Sequence, residues 1–244
     1  MDNFYDTDLA QVYDLMYPDL GQTELMGRYF NKVSSGNQIM ELGIGTGRLA
    51  IPLSAAGFNV SGVDVSEPML TKLKEKDHSS QIETNILDFS VDQLDNENND
   101  ICLLACNTFF SLQETEQQYE TFLNARRTLS KEGVFVIEAF SPTWLLSKGQ
   151  SFAEMRRLSA EKTLIEQYSI DQTTQLVQVD SVILSSRNGE AIVYTHKLRY
   201  VYPFEMDAIA RSAGFELLER TSGFDGELYN AALPMTVSTY WRNS

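Results

Sequence analysis

The chain has 244 residues, of which 43% are hydrophobic and 22% charged, a balance that suits a globular protein and excludes a disordered one. Its 34 acids against 19 Lys and Arg give a formal net charge of −15. Nucleic-acid affinity rests on clustered Lys and Arg, so neither a nucleic-acid nor an anionic-membrane partner is expected, and a cationic or neutral small molecule fits better.

The first residues, Met1-Asp2-Asn3-Phe4-Tyr5-Asp6, are acidic and lack the basic and apolar regions of a signal peptide. No run of about 18 uncharged apolar residues exists to span a membrane, so a cytoplasmic protein is expected. Residues 1–37 read as an N-terminal helical cap. Leu9 to Tyr17 has apolar positions at helical spacing and stops at Pro18. A second helix is expected from Thr23, its N-cap, to Val33, followed by the turn Ser34-Ser35-Gly36-Asn37. Tyr13 and Tyr17, four apart, share one face of the first helix.

Residues 38–140 alternate strand and helix. The strands are Ile39–Leu42, Val60–Val65, a weak Gln81–Asn85, Ile101–Cys106 and Val134–Ala139. Between them lie helices over Gly47–Ala56, Glu67–Lys76 (Pro68 in its first turn) and Thr115–Leu129. Such alternation predicts an α/β fold, a doubly wound, Rossmann-like parallel sheet. Cys102 and Cys106 in one strand lie about 13 Å apart at roughly 3.3 Å per residue. A disulfide needs Cα atoms within about 7 Å, so both are expected as free thiols. With only His78 and His196 besides, no metal site is expected.

After Phe140 the pattern changes. Residues 141–202 read as an inserted antiparallel β lid. Val177, Val179, Val182 and Leu184 mix with polar neighbours, Arg187-Asn188-Gly189 marks a turn, and Ile192, Tyr194, His196, Leu198 and Tyr200 alternate. Residues 203–244 supply a helix from Pro203 capped by Gly214, a strand from Phe215 to Arg220, and a last strand over Pro234–Trp241.

The chemistry gathers around Gly43-Ile44-Gly45-Thr46-Gly47, between the first strand and its helix. A dinucleotide fingerprint reads G-x-G-x-x-G. Here the third glycine comes one residue early and Arg48 takes its place. The turn suits an adenosine ligand without pyrophosphate, which points to S-adenosyl-L-methionine. Asp64 ends the second strand, where a carboxylate can accept both ribose hydroxyls.

Together, Glu41-Leu42-Gly43-x-Gly45-x-Gly47, Asp64, Asp88 and Asp100–Asn107 resemble the class I S-adenosylmethionine-dependent methyltransferases. Arg199-Tyr200-Val201-Tyr202-Pro203 with the elements after it resembles the small-molecule members, and the lid resembles that of sugar N-methyltransferases. The resemblance implies a seven-stranded sheet whose last strand is antiparallel. It implies that Glu41 orders the loop or reaches the methionine amino group through water. Val65 and Met69 would pack on adenine or belong to the core. Asp88 would sit beside the adenine amino group, with the Phe89 N–H on the ring. The carbonyl near Cys106 would meet the methionine ammonium, and Asn107 would orient ligand or substrate. Tyr17 is the tyrosine expected to touch the cofactor and a candidate catalytic residue, on a helix that would close over the cleft, with core packing as the alternative.

His196 is the candidate base, on one face with Tyr194 and Tyr200. Arg199 is expected to pair with the protein's own carboxylates. The activity expected is methyl transfer to an N or O atom of a small molecule. A dinucleotide-dependent oxidoreductase on the same sheet and a non-catalytic adenosine-binding protein are the competing readings.

Overall fold

Two helices precede the first strand in the computed structural model, which describes residues 7–78, 81–94, 98–187 and 189–243. Residues 1–6 of the expected cap and Asn188 of the expected lid turn lie outside the described residues. Helix α1 spans Thr7–Met16 and α2 spans Gln22–Val33. The α2 boundary differs from expectation because Asp19, not Thr23, does the capping. Its carboxylate accepts the Thr23 N–H at 3.2 Å as well as the Thr23 hydroxyl, and Gly21 supplies the left-handed turn with φ 89°.

The core sheet follows. Strand β1 is Gln38–Leu42, β2 Asn59–Asp64, β3 Glu83–Ile86, β4 Asn99–Leu104 and β5 Leu129–Phe140. Helices α3 (Ala50–Ala55), α4 (Glu67–Lys76) and α5 (Thr115–Thr128) connect them, with a 3-10 turn at Thr108–Ser111. Helix α3 begins three residues after the expected Gly47, because Gly47 has φ 72° and cannot join a right-handed helix. Strand β4 stops at Leu104, ahead of the expected Cys106, since Cys106 (φ 57°) and Asn107 (φ 63°) are both left-handed.

Among the described residues, seven strands form one sheet in the order β10-β11-β5-β4-β1-β2-β3. Here β10 is Phe215–Thr221 and β11 is Met235–Arg242. The last strand, β11, is antiparallel to both neighbours, and β1, β2, β4 and β5 run parallel. Their C-terminal ends therefore meet at one edge, where doubly wound sheets bind ligands. Side-chain alternation feeds two cores. Met40, Leu42, Cys102, Leu104, Phe135 and Ile137 enter one, while Ile39, Ile101, Leu103, Val134 and Val136 enter the other.

A helix not expected from the sequence, α6 (Pro142–Ser147), leaves β5 under a Ser141 cap. Four antiparallel strands then build the lid: β6 (Ser151–Arg157), β7 (Lys162–Asp171), β8 (Leu176–Ser185) and β9 (Ala191–Arg199). Their register lays out rows across the inner face. Leu164, Ile183 and Ile192 pack on Leu9, Val12 and Met16 of α1, and at the opposite end Ile170, Val177 and Leu198 join the main core. Two rows lie between: Glu154-Glu166-Ser181-Tyr194 and Phe152-Tyr168-Val179-His196. Tyr200 lies just past the strand end, buried in the main core beside Tyr202. Helix α7 (Pro203–Ser212) leads back to the sheet.

Candidate active site

The glycine turn is tied to the strand beside it. The N–H groups of Gly43 and Ile44 donate to the Val63 carbonyl at 2.8 and 3.1 Å. Gly43, Gly45 and Gly47 all have positive φ. A Cβ at Gly45 would stand in ordinary contact, 3.8 Å from Met69 Cε and 3.9 Å from Asp64 Oδ2. Glycine, acid and methionine thus face one small cradle.

Asp64 is 8% exposed. Its Oδ2 accepts the Gly45 N–H at 2.9 Å and its Oδ1 the Ser66 N–H at 2.8 Å. Burial raises its pKa, while the N–H groups of Ser66, Gly45 and Val65 pull the other way. Each oxygen has a second lone pair for a ligand hydroxyl. Met69 is buried, held by its N–H to the Ser66 cap at 3.3 Å, and Val65 is half-buried.

Glu41 is 4% exposed at the end of β1, and among the described residues its Oε2 has no hydrogen-bond partner. Burial, opposed by Arg48 and reinforced by Asp64, pushes its pKa up to about 8. A buried, orphaned carboxylate oxygen requires an explanation, and a ligand donor supplies one. A glycine turn beside Asp64 and an orphan acid fit a cofactor with ribose hydroxyls and an ammonium.

Asp88 is partly buried, and its Oδ1 accepts both the Ser90 N–H (2.9 Å) and hydroxyl (2.6 Å). It holds the turn that keeps Phe89 buried behind Gly43.

Helix α1 crosses over this edge. Asp14 bonds the Thr46 hydroxyl in the glycine turn and pairs with Lys76 of α4. The Tyr13 hydroxyl reaches Cys106 Sγ at 3.7 Å. Tyr17 packs against Tyr13 in a tilted ring pair, centroids 5.0 Å apart, and Arg156 of the lid lies 6.0 Å from its ring. Tyr17 therefore stands where cap, lid and glycine edge converge.

Glu138 and Arg48 are functional candidates that sequence reasoning missed. Glu138, 5% exposed near the end of β5, accepts the Cys106 N–H at 3.0 Å and the Gln22 amide at 2.6 Å. Arg48 donates to the same Gln22 at 3.0 Å. Burial works against the Arg48 guanidinium, and neighbouring Cys106, Tyr13, Glu138 and Glu41 keep its proton on. One signal was readable: Glu138 is an acid inside the apolar run Val134–Phe140.

The lid residues form a second group. Arg156 bonds the Met16 carbonyl at 3.0 Å and lies 3.7 Å from Glu166, which is 5% exposed. Burial raises the Glu166 pKa against the pull of Arg156. Phe152 and Tyr168 stack at 4.6 Å, and Tyr194 and His196 at 6.2 Å. His196 belongs to this wall, two rows from the row on α1. Burial, opposed by Asp180, lowers its pKa to about 4. Arg199 does not pair with carboxylates as expected: it donates to Gln118 at 2.8 Å and Gln175 at 3.5 Å, because the lid's end docks on α5.

Comparison with known proteins agrees with this geometry. Residues 39–133 match the methyltransferase domain family. A cypemycin N-terminal methyltransferase from a Streptomyces species is 25% identical over 93% of each chain. The CcbJ methyltransferase of Streptomyces caelestis superposes with a TM-score of 0.90 at 28% identity, covering 100% of both chains. The sugar N-methyltransferase KedS8 of a Streptoalloteichus species shares the fold, with a TM-score of 0.73 and 18% identity over 95% of this chain and 93% of that one.

Proposed function

We propose that this chain, which is an S-adenosylmethionine-dependent methyltransferase of class I, methylates an amine nitrogen of a small molecule held against the inner face of its lid. S-adenosyl-L-methionine is its cofactor, and when bound it supplies a sulfonium methyl group open to in-line displacement. In this reading Asp64 holds the ribose hydroxyls, and Gly43, Gly45 and Gly47 admit the ligand to the backbone. Glu41 faces the methionine ammonium, joined by the backbone at Cys106. Val65 and Met69 flank adenine, with Asp88 and Phe89 at its edge. Tyr17 and Asn107 border the space between cofactor and acceptor.

The observation that carries the choice of nitrogen is Glu166. A carboxylate this buried, among the rings of Tyr168, Phe152 and Tyr194, suits a cation. An ammonium must lose a proton before it attacks. Glu166, its pKa raised by burial, is the group placed to take it. A hydroxyl would need a stronger base than an imidazole whose pKa lies near 4. His196 keeps a place in the proposal as a neutral ring that orients the acceptor. One of the three relatives, the sugar N-methyltransferase, carries a name that specifies nitrogen, which supports the amine.

The proposal includes a cytoplasmic enzyme; among the described residues no helix is long and apolar enough to cross a membrane. The test is incubation with methyl-labelled cofactor and matched panels of small amines and alcohols, read by mass spectrometry. N-methylated products are expected. Label found only on oxygen, or only on macromolecules, would sink the reading.

A further inference from the structure

Two consecutive non-glycine residues, Cys106 and Asn107, hold left-handed backbone conformations at φ 57° and 63°. Asparagine tolerates this region; cysteine rarely enters it. The strain falls where β4 reaches the ligand edge, and such outliers persist only when their surroundings over-determine them.

Here the surroundings converge on one strand end. The Glu138 carboxylate accepts the Cys106 N–H, and the Glu138 carbonyl accepts the Asn107 N–H at 3.3 Å. Asn107 returns the contact, its Oδ1 accepting the Phe140 N–H at 2.6 Å. The other Glu138 oxygen takes the Gln22 amide from the start of α2, and Gln22 in turn receives Arg48 from the end of the glycine turn. Three segments distant in sequence are thereby fixed to one another through a single buried carboxylate.

We propose that Glu138 is a positioning residue for methyl transfer. It holds Cys106 and Asn107 in the left-handed conformation that sets the end of β4 against the cofactor. Through Gln22 and Arg48 it also locks that turn to the glycine turn. Glu138 acts through the backbone it pins.

The test compares Glu138→Gln, Glu138→Ala and Glu138→Ala combined with Cys106→Gly, using calorimetric affinity for S-adenosylhomocysteine alongside KM and kcat. A carboxamide has one acceptor oxygen for the two donors, the Cys106 N–H and the Gln22 amide, so Glu138→Gln should lose one contact and weaken binding about three- to tenfold. Glu138→Ala should weaken binding about tenfold or more and raise cofactor KM. Glycine adopts positive φ without steric cost, so adding Cys106→Gly should recover the part of that loss owed to the turn's conformation, while the link through Gln22 and Arg48 stays broken. A structural role in the core alone would lower Tm without this rescue. Unchanged affinity in Glu138→Ala, or a loss that Cys106→Gly does not lessen, overturns the proposal. If Glu138→Ala does not fold, Glu138→Gln decides: affinity and KM equal to the parent's overturn it.

Discussion

The cofactor edge and the lid solve the burial of charge in different ways. At the edge, Asp64 and Glu138 accept backbone N–H groups at 2.8–3.0 Å, so the main chain itself holds them. In the lid, Glu166 sits in a strand whose backbone is already committed to its neighbours, and its facing charge is a side chain, Arg156, at 3.7 Å. Backbone-held charge is rigid and suits a cofactor that must be placed in the same pose at every turnover. A carboxylate opposed by a long, half-exposed arginine can exchange partners, which suits an acceptor that must enter and leave.

The sharpest way to break this comparison is at Asp64. Charged hydrogen bonds contribute roughly 1.5–3 kcal/mol each. Asp64→Ala removes the contacts proposed for it with the ribose and also leaves the Gly45 and Ser66 N–H groups unanswered. Cofactor affinity measured by calorimetry should fall about a hundredfold or more. Near-unchanged affinity would mean that the acid serves the turn and not the ligand.

The same contrast governs what the sequence disclosed. The edge is built from contiguous signals: glycines that need positive φ, an acid at a strand end, and Pro68 at a helix start. Its strands and the Glu67–Lys76 helix were accordingly readable. Boundaries slipped where a local conformation overrode periodicity, as at Gly47 and Cys106. The lid showed alternation, which announces a strand but not its neighbours. Glu154, Glu166 and Tyr194 become one row only through a register that spans three turns. Glu138 and Gln22 are 116 residues apart, and no local pattern joins them. Tertiary juxtaposition of polar groups was therefore the part left unread.

The next prediction tests the lid by itself. Glu166→Gln keeps the shape and removes the charge. With an amine acceptor, kcat/KM should drop roughly 10- to 100-fold, in the range that removing a positioned acid or base costs. Cofactor affinity should stay within about twofold, since Glu166 is not among the residues at the cofactor edge. A parallel loss of cofactor binding would show that the lid and the edge act as one unit, and the distinction drawn between them would fail.

The smallest effects separate the two regions by pH. Glu41 at the edge has a folded pKa of about 8, above its ordinary 4.5. Between those values the folded state holds a proton that the unfolded chain has lost. Stability of the cofactor-free protein should then fall as pH rises, by about 1.4 kcal/mol per unit at most. His196 in the lid is displaced the other way, from 6.5 to about 4. Across that window the unfolded chain holds the extra proton, so stability should fall as pH falls. The two slopes oppose each other between about 4.5 and 6.5, and above 6.5 only Glu41 remains. Denaturant unfolding of Glu41→Gln should therefore lose the decline between pH 6.5 and 8, whereas His196→Gln should keep it and lose only the acid-side slope. The same displacement leaves His196 neutral at pH 7, so the rate profile should show no inflection near 6.5 that His196→Gln removes. If such an inflection exists and disappears in the variant, the imidazole carries a proton in the reaction, and the lid's acid–base work passes from Glu166 to His196.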